Sequence, residues 1–177
     1  MLKKILATGM ISAAVATSAI AGNITDKTLS VEVRHININN VAKGNAEGLR
    51  YSANVEVGQP GAWGFIYALS FDYASNLTNE YTTGTSKYYD FSIKFAPSYT
   101  FNSNLRVYAG MKVGYIDLIN NSDDYDNQGN MLLGVAGVEY PITNHIVIAV
   151  EGANGNSYFD GVKYKTTTYS ANLGWRF

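Results

Sequence analysis

The chain has 177 residues, with 13 basic and 14 acidic side chains, 2 histidines, no cysteine, 14 tyrosines, 17 glycines and 3 prolines. That length suits one domain, the near-neutral balance offers nothing to hold nucleic acid, and the lack of cysteine excludes a disulfide framework, thiolate chemistry and a lipoprotein anchor. Many aromatics without a cysteine framework point to strands that carry interfacial rings.

The start, "MLKKILATGMISAAVATSAIAG", places Lys3 and Lys4 before an apolar run that ends in Ala19-Ile20-Ala21. This is the pattern of a secretory signal cleaved after Ala21, so residues 1–21 are expected to be a signal peptide and 22–177 the exported domain. A retained membrane anchor is the alternative, and the shortness of the run and its Ala, Ser and Thr content speak against it. Without Lys3 and Lys4 the exported chain holds eleven basic and fourteen acidic residues, a net charge of -3.

After the signal, period-2 alternation recurs between clusters of Gly, Asn, Asp, Ser and Pro, and helical periodicity is absent. The pattern predicts eight antiparallel strands, over about 28–38, 48–58, 62–74, 87–101, 105–118, 130–141, 146–154 and 163–177. Connections after the second, fourth and sixth strands are tight: "GQPGA", "NSN" and "TNH". Those after the first, third, fifth and seventh read as longer and polar: "NNVAKGNAE", "SNLTNEYTTGTS", "NNSDDYDNQGN" and "GNSYFDG". Short turns at one end and long loops at the other are the plan of a bacterial outer-membrane barrel, with both termini expected in the periplasm.

One face of the strands is apolar, running through Leu29, Val31 and Val33, Trp63 to Tyr73, Phe91 to Phe95, and Ile148 and Val150. Such a band can face lipid only if the sheet closes and leaves no unpaired backbone edge. Tyr51, Tyr73, Tyr89, Tyr115 and Tyr169 fall towards the loop ends, and Trp63, Tyr99, Phe101, Tyr140, Trp175 and Phe177 towards the turn ends, as two aromatic girdles require. A soluble sandwich or lipocalin-like barrel would need the opposite arrangement, an apolar interior.

The other face carries six acids, Glu32, Glu56, Asp72, Asp90, Glu139 and Glu151, and six bases, Arg34, Arg50, Lys94, Arg106, Lys112 and Arg176. Inside a narrow eight-stranded barrel they can pair across the lumen, so the interior is expected to be an ion-pair plug rather than a pore. The sixth strand, "MLLGVAGVEYP", is apolar on both faces, and Glu139 is placed inward because a carboxylate facing lipid is costly. Pro97 is expected at a bulge or at the lower rim.

The stretch "FAPSYTFNSNLRVYAGMKVGY" (95–115) resembles a strand, turn and strand of the OmpX/Ail family of small outer-membrane barrels, and "GVEYPITNHIVIAVE" (137–151) resembles a hairpin of the OmpA transmembrane domain. The ending "LGWRF" is similar to the C-terminal signal read by the barrel assembly machinery, which implies an addressing role for Tyr169, Leu173, Trp175 and Phe177. The resemblance also implies inward carboxylates at Glu139 and Glu151. Ala149 departs from it, standing where the OmpA hairpin carries an inward arginine.

Candidates for chemistry are thin. A lipid-modifying enzyme would need His35 or His145 beside a nucleophile, and the two histidines belong to opposite ends of the barrel. Asp124, Asp126, Gln128 and Gly129 are spaced like the start of a calcium loop, but Val135 stands where a bidentate Glu is needed. The expected function is therefore a structural or surface-interaction role, adhesion-like, with no catalysis, cofactor or metal. Tyr81, Tyr125, Tyr158 and Phe159 are the expected loop contacts for an extracellular ligand. Expected partners are outer-membrane lipid, lipopolysaccharide and the assembly machinery, with a monomeric barrel. A narrow channel and a lipid-modifying enzyme are the alternatives.

Overall fold

The computed structural model describes residues 24–56, 63–79, 84–120 and 126–177. Eight strands close into one antiparallel up-and-down barrel in which each strand pairs with its sequence neighbours and β1 pairs with β8. They are β1 (Ile24–Ile38), β2 (Ala42–Glu56), β3 (Trp63–Asn79), β4 (Thr85–Thr100), β5 (Arg106–Asn120), β6 (Asp126–Pro141), β7 (Ile146–Phe159) and β8 (Val162–Arg176). The expected signal segment lies outside the described residues.

Closure rests on the last residues. Leu29 faces Trp175 and Val31 faces Leu173 across the β1–β8 seam. The Phe177 amide donates to the Lys27 carbonyl at 2.9 Å, so the ladder continues to the final residue. Every strand has a partner on both sides, as a sheet in hydrocarbon requires.

The outward face is the apolar one. Val31 and Val33 are each 57 % exposed, and Trp63, Phe95, Met111, Val150 and Leu173 stand on the same outer surface. At the end bearing the termini, Trp63 packs on Tyr99 at 5.4 Å and Tyr99 on Phe101 at 5.0 Å, while Tyr73 packs on Tyr89 at 5.1 Å further along the same strands. Trp63 and Tyr73 are ten residues apart on β3, which is about 33 Å of strand and roughly 25 Å of height at a barrel's tilt. The two girdles therefore bracket one hydrocarbon thickness.

The strands run past that thickness. They hold between 14 (β7) and 17 (β3) residues, against the 9–11 or so needed to span. The excess lies beyond the upper girdle and corrects the expected long loops. β1 and β2 are joined through residues 39–41, where Val41 N donates to Ile38 O at 2.9 Å and Asn40 takes a positive φ of 59°. β7 and β8 are joined by Asp160 and Gly161 alone, both at positive φ (49° and 79°), the conformation that suits the right-handed twist of a two-residue hairpin. Residues such as Lys43, Asn45, Asn130 and Asn156, whose polarity reads as loop, belong to strands that have left the lipid.

Pro97 does not sit in a bulge. It faces Phe65 on β3, and the β4–β5 pairing resumes in unchanged register from Phe95↔Met111 to Ser98↔Tyr108. Only the donor that proline lacks is lost, close to the lower girdle.

Gly161 has nothing within 4 Å of the position a Cβ would occupy, so its φ alone resists substitution. Gly161→Ala is expected to lower stability by about 1 kcal/mol through backbone strain, read as an earlier urea midpoint with an unchanged slope. An unshifted midpoint would show that the turn tolerates an L-residue there.

Candidate functional site: the barrel lumen

Inward residues sort into three layers. The lowest lies near the termini and joins four strands. Arg106 of β5 donates from Nη1 to Glu139 Oε1 of β6 at 2.7 Å and from Nη2 to Asp26 Oδ2 of β1 at 2.9 Å. Arg176 of β8 reaches Asp26 Oδ1 at 3.2 Å and Glu139 Oε1 at 3.5 Å. Asp26 is absent from the expected lumen residues, because the alternation on β1 is clear only from residue 28. It bridges the seam strand to the opposite wall.

The middle layer is denser. Arg34 on β1 forms an ion pair from Nη1 to Asp72 Oδ2 on β3 at 2.6 Å, donates from Nη1 to Asp90 Oδ2 on β4 (2.7 Å), and donates from Nη2 to Glu32 Oε1 (2.9 Å). Arg50 on β2 joins Glu32 Oε1 at 2.9 Å to Glu151 Oε1 on β7 at 3.2 Å. Lys94 on β4 meets Glu151 Oε2 at 2.6 Å and lies 4.3 Å over the Tyr108 ring, whose hydroxyl donates to the same carboxylate oxygen at 2.9 Å. Tyr88 donates to Asp90 at 3.0 Å. Lys112 is buried on the inward face of β5, opposite Lys94.

Neighbours in register are small, which gives these side chains their space. Glu32 lies beside Gly48, Arg34 beside Ala46, and Glu151 between Gly137 and Ser170. At Gly137 the room goes to Tyr108, since a Cβ there would come within 2.5 Å of the phenolic oxygen. A small cavity separates the lower and middle layers, lined in part by Thr28, Ser30, Asn172, Gly174 and Ala149. The position expected to carry an arginine in the OmpA hairpin is thus one wall of that space.

The upper layer is apolar. Ile36, Ile38, Leu77, Tyr88, Ile116, Leu118, Met131, Leu133, Val135 and Phe159 form one buried cluster at the end away from the termini. This accounts for the two-faced β6: Met131, Leu133 and Val135 point inward into that cluster and Leu132 and Val138 point outward. The lumen is therefore not an ion-pair plug along its whole length.

Of the twelve expected lumen charges, Glu32, Arg34, Arg50, Asp72, Asp90, Lys94, Arg106, Lys112, Glu139 and Glu151 are buried in the barrel. The Arg176 side chain is 22 % exposed at the lower mouth. The Glu56 side chain lies outside the described residues. Of the expected loop contacts, Tyr81 and Tyr125 lie outside the described residues. Tyr158 is exposed but belongs to β7, and Phe159, expected in a loop, is 5 % exposed in the upper cluster, where it packs on Tyr164 at 5.9 Å. The correction at Phe159 follows from the two-residue turn, which brings it back into the strand's inward alternation.

The two histidines are far apart and differently employed. His35 Nδ1 is 2.8 Å from Asn45 Oδ1 on the outer surface of β1 and β2. His145, in the turn after β6, stacks on Trp175 at 5.0 Å and shares hydrogen bonds with the Arg176 backbone. Among the described residues no three His, Asp or Glu side chains could hold a metal. Asp124 lies outside them.

Closure, a lipid-facing exterior between two girdles and a charged, filled lumen together define a membrane-spanning β-barrel of the outer-membrane class. Residues 5–177 match the family described as outer membrane protein beta-barrel domain, and the chain belongs to that family. Its place is the outer membrane of Gram-negative bacteria. The attachment invasion locus protein Ail of Yersinia pestis has the same fold, with a TM-score of 0.59 and 16% sequence identity over 86% of this chain and 98% of that one. Neisserial surface protein A is similar at a TM-score of 0.58, with 13% identity over 85% of this chain and 95% of its own. A major outer membrane protein from Thermus thermophilus aligns at 0.50, with 14% identity over 85% and 99% of the respective chains. No curated protein matches it in sequence.

Arg34 holds three buried carboxylates. Arg34→Met should cost about 3–5 kcal/mol, because it strands charges that have no water to turn to. Arg176→Gln, at the half-open mouth, should cost about 1 kcal/mol or less. Urea unfolding of the two variants in the same vesicles checks the ranking, and equal losses would mean that the middle layer is hydrated.

Proposed function

We propose that this barrel is a closed, rigid mount in the outer membrane, with a structural or surface-interaction role of an adhesion-like kind and no catalysis. One observation carries the reading: the lumen is filled twice, by charge pairs that span it and by an apolar layer above them. Conduction would require both to open. Catalysis would require a converging nucleophile, acid and base, and His35 has Asn45 as its hydrogen-bond partner rather than a serine or carboxylate.

With the solute path closed, the surface left for function is the end of the strands that rises above the lipid. In this reading the termini face the periplasm, and the barrel assembly machinery takes up Tyr169, Leu173, Trp175 and Phe177 on the way to the membrane. Phe177 is suited to that address because it is exposed at the end of a fully paired strand. The folded barrel then works as a monomer among outer-membrane lipid and lipopolysaccharide. The exposed contact residue for an extracellular ligand is Tyr158 on the β7 extension, joined by Tyr81 and Tyr125, which fall by sequence in the connections after β3 and β5.

Single-channel recording of the refolded protein in a planar bilayer tests this. Wild type, Glu139→Gln and Lys94→Ala are expected to be silent, since neither substitution removes the apolar layer. Steady conductance that shifts with either lumen variant would make transport the function and overturn the mount.

A further inference from the structure

The barrel's outer surface is uneven. β3 and β4 carry Trp63, Phe65, Tyr67, Phe71, Phe91 and Phe95, whereas the facing positions of β6, β7 and β8 are Gly134, Ala136, Gly152 and Ala171. A Cβ at Gly134 would meet only Asn154 O, at 3.6 Å, and one at Gly152 only the Tyr169 ring, at 3.7 Å. These glycines are not needed for packing; they leave the surface low. The result is a lateral depression of about 970 Å³ with walls from Val107, Val138, Val150 and Val33. It is broad and open rather than enclosed, and its exposed lining is mostly apolar.

The upper end of the depression changes character in ordered steps. Register sets Ala136, Gly152, Tyr169, His35 and Asn45 in one row across β6, β7, β8, β1 and β2. The next row is polar: Asn154, Thr167, Asn37 and Lys43, with Asn154 donating to Thr167 at 2.8 Å. Above it Lys165 faces Asn156 and Lys163 faces Tyr158. Lys43, Lys163 and Lys165 are all exposed. Lys165 lies four residues beyond Tyr169, about 13 Å along the strand, which is the step from hydrocarbon edge to headgroup. Two acids flank this sector, Glu47 on β2 and Asp160 in the turn, but the outward positions of β8 directly above the floor are Thr167, Lys165 and Lys163.

We propose that this face seats one lipid of the outer leaflet whose head is an anionic phosphomonoester, with an acyl chain on the floor of Ala136, Gly152 and Ala171 and that phosphate on Lys43, Lys163 and Lys165. The His35–Asn45 pair and the Tyr169 hydroxyl close the upper end at the level of the lipid's polar linkage. Lysine ammonium groups bind phosphate as point charges, and at a membrane surface each strengthens the hold on an anionic headgroup. A lipid fits better than a soluble polyanion because the apolar floor and the lysines belong to one continuous strip; a polyanion would use the lysines and ignore the floor. The leaflet follows from the orientation proposed above.

Native mass spectrometry of the folded, detergent-solubilised full chain tests the seat, with dimyristoyl phosphatidic acid and dimyristoyl phosphatidylcholine as probes. Wild type should hold one phosphatidic acid at least tenfold more tightly than phosphatidylcholine. Lys43→Gln/Lys163→Gln/Lys165→Gln should remove that preference. Ala136→Leu/Gly152→Leu, which fills the floor, should weaken both lipids about tenfold. Equal affinity of wild type for the two lipids overturns the seat. So does a filled variant that binds lipid like wild type, and if a soluble heparin fragment then binds both proteins alike, the lysines serve a soluble polyanion. Should the filled variant fail to fold, the lysine variant decides alone: an undiminished preference for phosphatidic acid sinks the proposal. None of these outcomes depends on whether the lumen conducts.

Discussion

The fold depends on charges that can be neutralised only across the lumen. In register, β3 sets Asp72 directly beside Asp90 of β4, and β4 sets Lys94 directly beside Lys112 of β5. Like charges side by side on adjacent strands are destabilising. An open sheet of these strands would carry both conflicts unrelieved. Arg34 of β1 reaches over β2 to the two aspartates and closure brings Glu151 of β7 to Lys94, so strands beyond the immediate neighbours resolve what neighbours cannot. Asp26 does the same for Arg106, four strands away. The network thus favours the closed barrel over partly closed alternatives, in addition to whatever stability its pairs add.

The layers divide the work by height. Within the hydrocarbon, apolar residues are needed outside, so the inside is left to polar and charged residues. Above the lipid the requirement is reversed: the outward residues of the extensions are Asn37, Lys43, Asn154 and Lys165, and the inward ones are Ile36, Ile38, Leu133 and Phe159. The same alternation persists, yet the apolar set has changed faces. The upper barrel is built like a small soluble barrel standing on a membrane one.

This inversion explains what could and could not be read from the sequence. Eight strands, the lipid-facing parity between the girdles and the inward charges were legible because alternation within the membrane is strict. The strand extensions were not, since polar outward residues such as Lys43 and Asn156 look like loop once the apolar set has switched sides. Asp160-Gly161, flanked by alternating residues, was a readable hairpin signal that the polarity of its surroundings masked. Asp26 escaped notice at a strand end, where alternation gives least warning. Which inward charge meets which could not be read at all, because pairing across a lumen depends on tilt and stagger rather than on spacing along the chain.

The same double filling bears on how firmly the barrel is shut. Opening a path would separate Arg34 from its carboxylates or Glu151 from Arg50 and Lys94, each a break of about 3–5 kcal/mol. Even then, ions would meet the cluster of Ile36, Leu77, Ile116 and Leu133, and hydrophobic constrictions exclude them by dewetting. A charged layer alone could be a gate, since rearranging partners can open it. An apolar layer in series has no such alternative partners, which is why the proposed reading takes the two together as a wall and looks for function on the barrel's outer surfaces.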